Sequence, residues 1–212
     1  MLRPTKCVLR RSSLSLLALS VLAAPCFAQG TWRQEADRLS ALLEWHAGGI
    51  VAEIGAGRGE LTLEAAQRVG LSGKVYTTEL PDNLAPLKEL AAEHKNIVAI
   101  QAAEASTNLP PACCDSIFMR LVYHHLTKPA DVDASIFRSL KPGGRLAVID
   151  EPPAKGSTIP PGVPRNRLGH GIPQKILISE LTTAGFKLEH IENHWPASDA
   201  YHPIYCVVFR KP

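Results

Sequence analysis

Val51-Ala52-Glu53-Ile54-Gly55-Ala56-Gly57-Arg58-Gly59 reads as an apolar strand carrying one acidic residue, then glycines at alternate positions, with Glu60 opening an amphipathic stretch. A buried strand that turns at once into a helix needs glycine where the backbone takes positive φ or where a ligand lies against it. This is the turn of a nucleotide site. The dinucleotide pattern Gly-x-Gly-x-x-Gly would put a third glycine at position 60, where a glutamate stands, and a carboxylate there repels a pyrophosphate at the helix start. NAD is therefore not the expected ligand.

Working outward, strand-like and helix-like stretches alternate. Trp32, Ala36, Leu39, Leu42 and Leu43 recur at helical spacing before Gly48-Gly49, which predicts a leading helix over 31–46. Leu61, Ala65, Ala66 and Val69 make a second helix face, and Lys74 to Thr78 a second strand ending at Glu79. A helix over 84–94, a strand over 97–100, a strand over 115–119 and a helix over 131–140 follow. Lys141-Pro142-Gly143-Gly144 predicts a turn, Arg145 to Asp150 a fifth strand. The stretch 151–173, rich in proline and glycine and without apolar period, predicts a long surface loop of the kind that carries function. A helix over 175–184 and strands over 186–191 and 204–209 complete the pattern. The fold class is thus α/β, a single doubly wound, Rossmann-like sheet of seven strands, mostly parallel with the last antiparallel. Glu79, twenty residues past the third glycine, stands where such folds place an acidic side chain to accept the hydroxyl protons of a ribose.

With Glu53 two residues before the first glycine, the turn resembles motif I of the class I S-adenosylmethionine-dependent methyltransferases. Leu140-Lys141-Pro142-Gly143-Gly144-Arg145 before an apolar strand, and Arg120 to Leu126 after the fourth strand, strengthen the resemblance, which covers residues 31–212. It implies S-adenosyl-L-methionine as cofactor, its methionine part cradled by the loop backbone. The implied cofactor contacts are Glu53, Gly55, Ala56, Gly57, Gly59, Glu79, Leu80, Ala103, Glu104 and Arg120. Gln101-Ala102-Ala103-Glu104 departs from the family's Gly-Asp-Ala, since alanine replaces the aspartate, and this leaves the adenine contact the least defined.

Methyl transfer from a sulfonium is an in-line displacement that depends on holding donor and nucleophile together, with a base where the acceptor loses a proton. No metal is required by that chemistry, and none is expected. His124 or His125 is the expected base or acceptor-positioning group, Tyr123 a nearby hydroxyl contact, and His170 and Glu151 are secondary candidates. A zinc site from His190, His194 and His202 is the weaker reading beside surface histidines, because no cysteine pair supports it. The acceptor is a small molecule, a lipid or a protein group. Lys74 to Glu79 also resembles the protein isoaspartate methyltransferases, which Tyr123-His124-His125-Leu126 fits poorly. A binding protein that keeps the cofactor fold without turnover is the competing reading.

Arg3, Lys6, Arg10 and Arg11 before the apolar run Leu14 to Ala24, then Cys26-Phe27-Ala28, read as a secretory signal over 1–28 cut after Ala28, with a periplasmic methyltransferase domain over 29–212. An uncleaved anchor is the alternative; after cleavage no stable membrane span is expected. Four of the 23 basic residues and none of the 20 acidic ones lie in that leader, so its removal leaves a formal charge of −1 and no excess of cations for a nucleic-acid partner. Cys113, Cys114 and Cys206, an odd set without CxxC spacing, read as buried thiols. Oligomeric state is not written in the chain.

Overall fold

The computed structural model describes residues 26–197 and 203–212. Residues 1–25 of the expected leader lie outside the described residues, as does His202; the expected cut after Ala28 falls in the first turn of helix α1 (Cys26–Leu43). Among the described residues no helix is long and apolar enough to cross a membrane.

The remaining elements run β1 (Ile50–Ile54), α2 (Glu60–Val69), β2 (Lys74–Glu79), α3 (Ala85–Glu93), β3 (Ile97–Gln101), β4 (Cys114–Arg120), α4 (Pro129–Ser139), β5 (Leu140–Asp150), α5 (Gln174–Thr183), β6 (Lys187–Glu192) and β7 (Tyr205–Arg210). They form one seven-stranded sheet in the order β3-β2-β1-β4-β5-β7-β6. Strands β1 to β5 are parallel, whereas β7 enters antiparallel between β5 and β6. The expected architecture is therefore observed.

Strands covered on both faces are apolar at consecutive positions, and alternate residues serve opposite layers. Ile117, Met119, Leu146 and Val148 pack with Ile136 of α4 and Leu177 and Leu181 of α5. Phe118, Ala147 and Ile149 turn the other way, toward Leu39 of α1 and Leu61 and Ala65 of α2. The chain leaves β1 for β2 on one side and returns to β4 on the other, which opens a crevice beyond the carboxyl ends of β1 and β4.

Two local expectations are corrected. The turn at Lys141 to Gly144 is absorbed into β5, which starts at Leu140 and jumps register against β4, from Cys114↔Leu140 to Ser116↔Arg145. That excursion is held by the chain end: Gly143 N–H donates to Lys211 O (2.9 Å) and Lys211 N–H to Gly144 O (2.9 Å). Cys113 and Cys114 are joined by a disulfide, and Cys206 alone is the buried free thiol the sequence predicts.

Candidate active site

The glycine turn is built by steric need. Gly55 has φ +66°, and a Cβ there would lie 2.5 Å from Val122 Cγ2, so only glycine lets β1 pass the segment after β4. The N–H groups of Gly55 and Ala56 both donate to Thr78 O (3.0 and 3.1 Å), which ties the turn to the end of β2. Gly57 N–H and Leu80 N–H donate to the two carboxylate oxygens of Glu79 (3.2 and 3.0 Å). The acid thus sits at the crevice lip with its position fixed by two backbone amides. Gly59 acts differently from the expectation: a Cβ would meet Leu90 Cδ2 at 2.7 Å, so it packs α2 against α3, and it lines neither of the cavities described next.

Cavities open on both sides of Gly55. The larger, about 340 Å³, is walled by Glu79, Leu80, Ala103, Glu104, Val122 and His125, among others. The smaller, about 180 Å³, is walled by Trp32, Glu53, Ala56, Gly57, Glu60 and Arg120. Apart from Gly59, every residue expected to hold the cofactor lines one of the two. Sequence reasoning missed Asn83 and Thr78 in the first cavity and Trp32 in the second. Thr78 Oγ1 is buried beneath the wall of the first cavity without a hydrogen-bond partner. Nothing in the spacing marks these residues, since asparagine, threonine and tryptophan carry no motif here.

The carboxyls of the two cavities differ in kind. Glu53 is buried, accepts a hydrogen bond from Thr62 Oγ1 and is pushed up to about 8 by desolvation, so it enters the smaller cavity as a neutral acid near neutrality. Glu104 is exposed and held below the usual carboxylate range by Thr127 and Lys128. Arg120 donates through Nε to the buried Glu35 of α1 (2.8 Å) and lies 4.8 Å from the Trp32 ring; Trp195 Nε1–H also donates to Glu35 (2.6 Å).

The histidines separate as well. His124 is 2% exposed; its Nδ1 meets Asp150 Oδ1 at 2.6 Å and its backbone N–H donates to Asp150 Oδ2 (3.1 Å), while Nε2 has no partner. His125 is exposed at the wall of the larger cavity; desolvation there, and then the neighbouring His124 and His170, push it down to about 4. It is neutral at physiological pH but a weak proton acceptor, which favours positioning over general-base work. Tyr123 is corrected outright: its ring is buried away from both cavities and its hydroxyl is bonded to Asp133 (2.8 Å) and Glu180 (3.1 Å). Glu180 in turn forks onto the fully buried Arg167 (2.6 and 2.9 Å), so Tyr123 belongs to a network that anchors the long loop.

Of the secondary candidates, His170 and Glu151 face one another, Nδ1 to Oε1 at 3.2 Å. The 151–173 loop doubles back to bring them together, through Ala154 N–H to His170 O (3.0 Å) and Ile172 N–H to Glu151 O (2.8 Å). His190 and His194 are exposed, and His190 lies 3.9 Å from Glu192, as surface histidines do.

Residues 52–148, from β1 to β5, match the family described as methyltransferase domain. Over that span the chain is similar to methyltransferase domains, in keeping with the resemblance carried by the glycine turn. The ubiquinone/menaquinone biosynthesis C-methyltransferase UbiE of Marinomonas sp. (strain MWYL1) is 30% identical over 108 residues, 49% of this chain and 43% of its own. The chain thus spans less than half the length of that curated relative. In fold, the chain is similar to a SAM-dependent methyltransferase from Aquifex aeolicus (TM-score 0.68, 21% identity, 85% of this chain and 93% of the other). It is equally similar to the [4+2]-cyclase SpnF (TM-score 0.68, 16% identity, 85% and 81%).

Proposed function

We propose that the protein is an S-adenosylmethionine-dependent methyltransferase acting on a small acceptor. The observation that carries this is the pair of cavities divided by Gly55, one bounded by the amide-fixed Glu79 and the other by Glu53 and Arg120. An adenosine needs a diol acceptor such as Glu79 beside an apolar wall, here Leu80 and Val122; an amino-acid end needs a carboxyl and a cation, here Glu53 and Arg120. The transfer itself asks for orientation at near-attack distance, which a fixed turn supplies. His125 is the residue set to position the acceptor.

The UbiE relative is named for carbon methylation in quinone biosynthesis, which supports an electron-rich aromatic ring of quinone type as the first acceptor to try. The basic-then-apolar residues 1–28 support export to the periplasm, which fractionation of cells carrying the full chain would test. The function is tested by calorimetry with S-adenosylmethionine and S-adenosylhomocysteine, then by transfer of a labelled methyl group to phenols, hydroquinones, thiols and amines. Binding near one equivalent, with transfer to an aromatic acceptor that falls in His125→Ala without loss of cofactor affinity, is expected. Failure to bind either compound overturns the reading, and binding without transfer to any acceptor reduces the protein to a cofactor-binding module.

A further inference from the structure

His124, His125 and His170 come together from two separate segments, the turn after β4 and the long loop after β5. One ring nitrogen of each lies within 4.8 Å of the other two, and the ring centroids are 4.0, 4.6 and 5.0 Å apart. Packing alone accounts poorly for this group. A buried imidazole nitrogen left without a partner is destabilising, and His124 Nε2 is such an atom.

The supporting groups are those a metal site needs. Asp150, fully buried, accepts from the backbone N–H groups of His124 and Glu151 and faces His124 Nδ1, so Nδ1–H is the donor to this carboxylate and Nε2 keeps the lone pair. Glu151 stands in the same relation to Nδ1 of His170. Carboxylates that hold the second nitrogen of a ligating histidine fix its tautomer and raise its basicity. The loop is shaped to deliver His170: a Cβ on Gly169 would meet Ser157 Oγ at 2.7 Å, and one on Gly171 would meet Pro152 O at 2.7 Å. His170 N–H is fixed by Ser157 Oγ (2.8 Å).

We propose that His124, His125 and His170 form a binding site for a divalent transition-metal ion of the zinc type. Three neutral imidazoles suit zinc, copper or nickel and disfavour the oxygen-seeking magnesium and calcium. Nitrogens bonded at about 2.0–2.1 Å in a tetrahedral shell stand about 3.3 Å apart, so the rings close by roughly an ångström on the ion. The site keeps a fourth position, and because His125 also walls the larger cavity, the ligand class for that position is an anionic oxygen or sulfur presented from the cavity. The site stands whether or not the protein transfers methyl groups.

The test uses the untagged full chain, stripped with chelator, titrated with zinc against a chromophoric chelator, and with cobalt(II) for its visible spectrum. One equivalent is expected to bind with submicromolar affinity, to give a tetrahedral cobalt spectrum and to raise the melting temperature by tying the loop to the β4 turn. His125→Ala and His170→Ala, at partly exposed positions, should each weaken binding at least 100-fold. Glu151→Gln should weaken it about 10- to 100-fold. His190→Ala should change nothing. Absence of binding tighter than micromolar in the parent, or unchanged binding in both His125→Ala and His170→Ala, overturns the proposal; circular dichroism of the variants separates a lost site from a lost fold.

Discussion

Replacing Gly55 with alanine tests the geometry on which both cavities depend. The cost has two parts. An L-residue held at φ +66° loses about 1–2 kcal/mol to backbone strain, partly offset by the lower entropy of the unfolded alanine chain. The new Cβ would also lie 2.5 Å from Val122 Cγ2 and 2.9 Å from Cγ1, and overpacking of that kind costs about 1–3 kcal/mol. Gly55→Ala should therefore lose about 2–4 kcal/mol in urea unfolding. Gly57→Ala is the internal control: its φ is +56° and its Cβ would meet nothing within 4 Å, so it should lose only about 1 kcal/mol. Val122→Ala removes the methyl groups that clash, and in a double-mutant cycle it should recover at least about 1 kcal/mol of the Gly55→Ala penalty. Equal losses at positions 55 and 57, or a coupling energy near zero, would show that the turn relaxes and that Gly55 is not the wall between the cavities.

Glu79→Ala should weaken S-adenosylhomocysteine binding by about 1.5–3 kcal/mol, roughly 10- to 150-fold by calorimetry, with the fold retained; parent-like affinity refutes the ribose assignment. Glu53 is raised from 4.5 to about 8 and Asp133 from 3.8 to about 7, so the folded state keeps protons that the unfolded state releases. Stability should therefore fall as pH rises through that window, by up to about 1.4 kcal/mol per pH unit for each group, and Glu53→Gln should remove one group's share in pH-resolved unfolding. Arg167→Met strips the partner from Glu180 in the network under the long loop and should cost about 3 kcal/mol by thermal melting, the low end for such a pair because Glu180 keeps 21% of its side chain in water.

The sheet was legible in the sequence because parallel strands covered on both faces must be apolar throughout, and glycine marks where they turn. The alternation places each strand within a residue or two, apart from β5. There, Pro142-Gly143-Gly144 carries turn chemistry that β5 absorbs as a bulge paired with the chain end, a contact about 70 residues away that no local pattern encodes. The cofactor candidates were legible for a similar reason, since backbone approach and acid position follow from strand ends. Gly59 shows the limit: it shares its spacing with Gly55 and Gly57, yet its neighbour is Leu90 of another helix. Tyr123 adjoins the histidines in sequence, but one residue of rotation turns it into the core toward Asp133 and Glu180. His170 joins His124 only through the fold of a loop with no period to read.

The smaller cavity depends on more than the span from β1 to β5 that matches the methyltransferase family. Two of its walls, Trp32 and Arg120, touch each other, and Arg120 is aimed by Glu35, a fully buried acid on α1 that also receives the indole N–H of Trp195. A buried carboxylate survives only with such partners, so the three side chains stabilise one another as a unit. Trp32 and Glu35 precede the matched span and Trp195 follows β6. The family's own stretch therefore supplies the glycine turn, Glu53 and Glu79, while the flanking segments hold the cation and close the cavity around it. A cavity whose turn comes from one stretch and whose wall comes from another can change its grip on a ligand's charged end through α1 and the β6–β7 connection without disturbing the sheet.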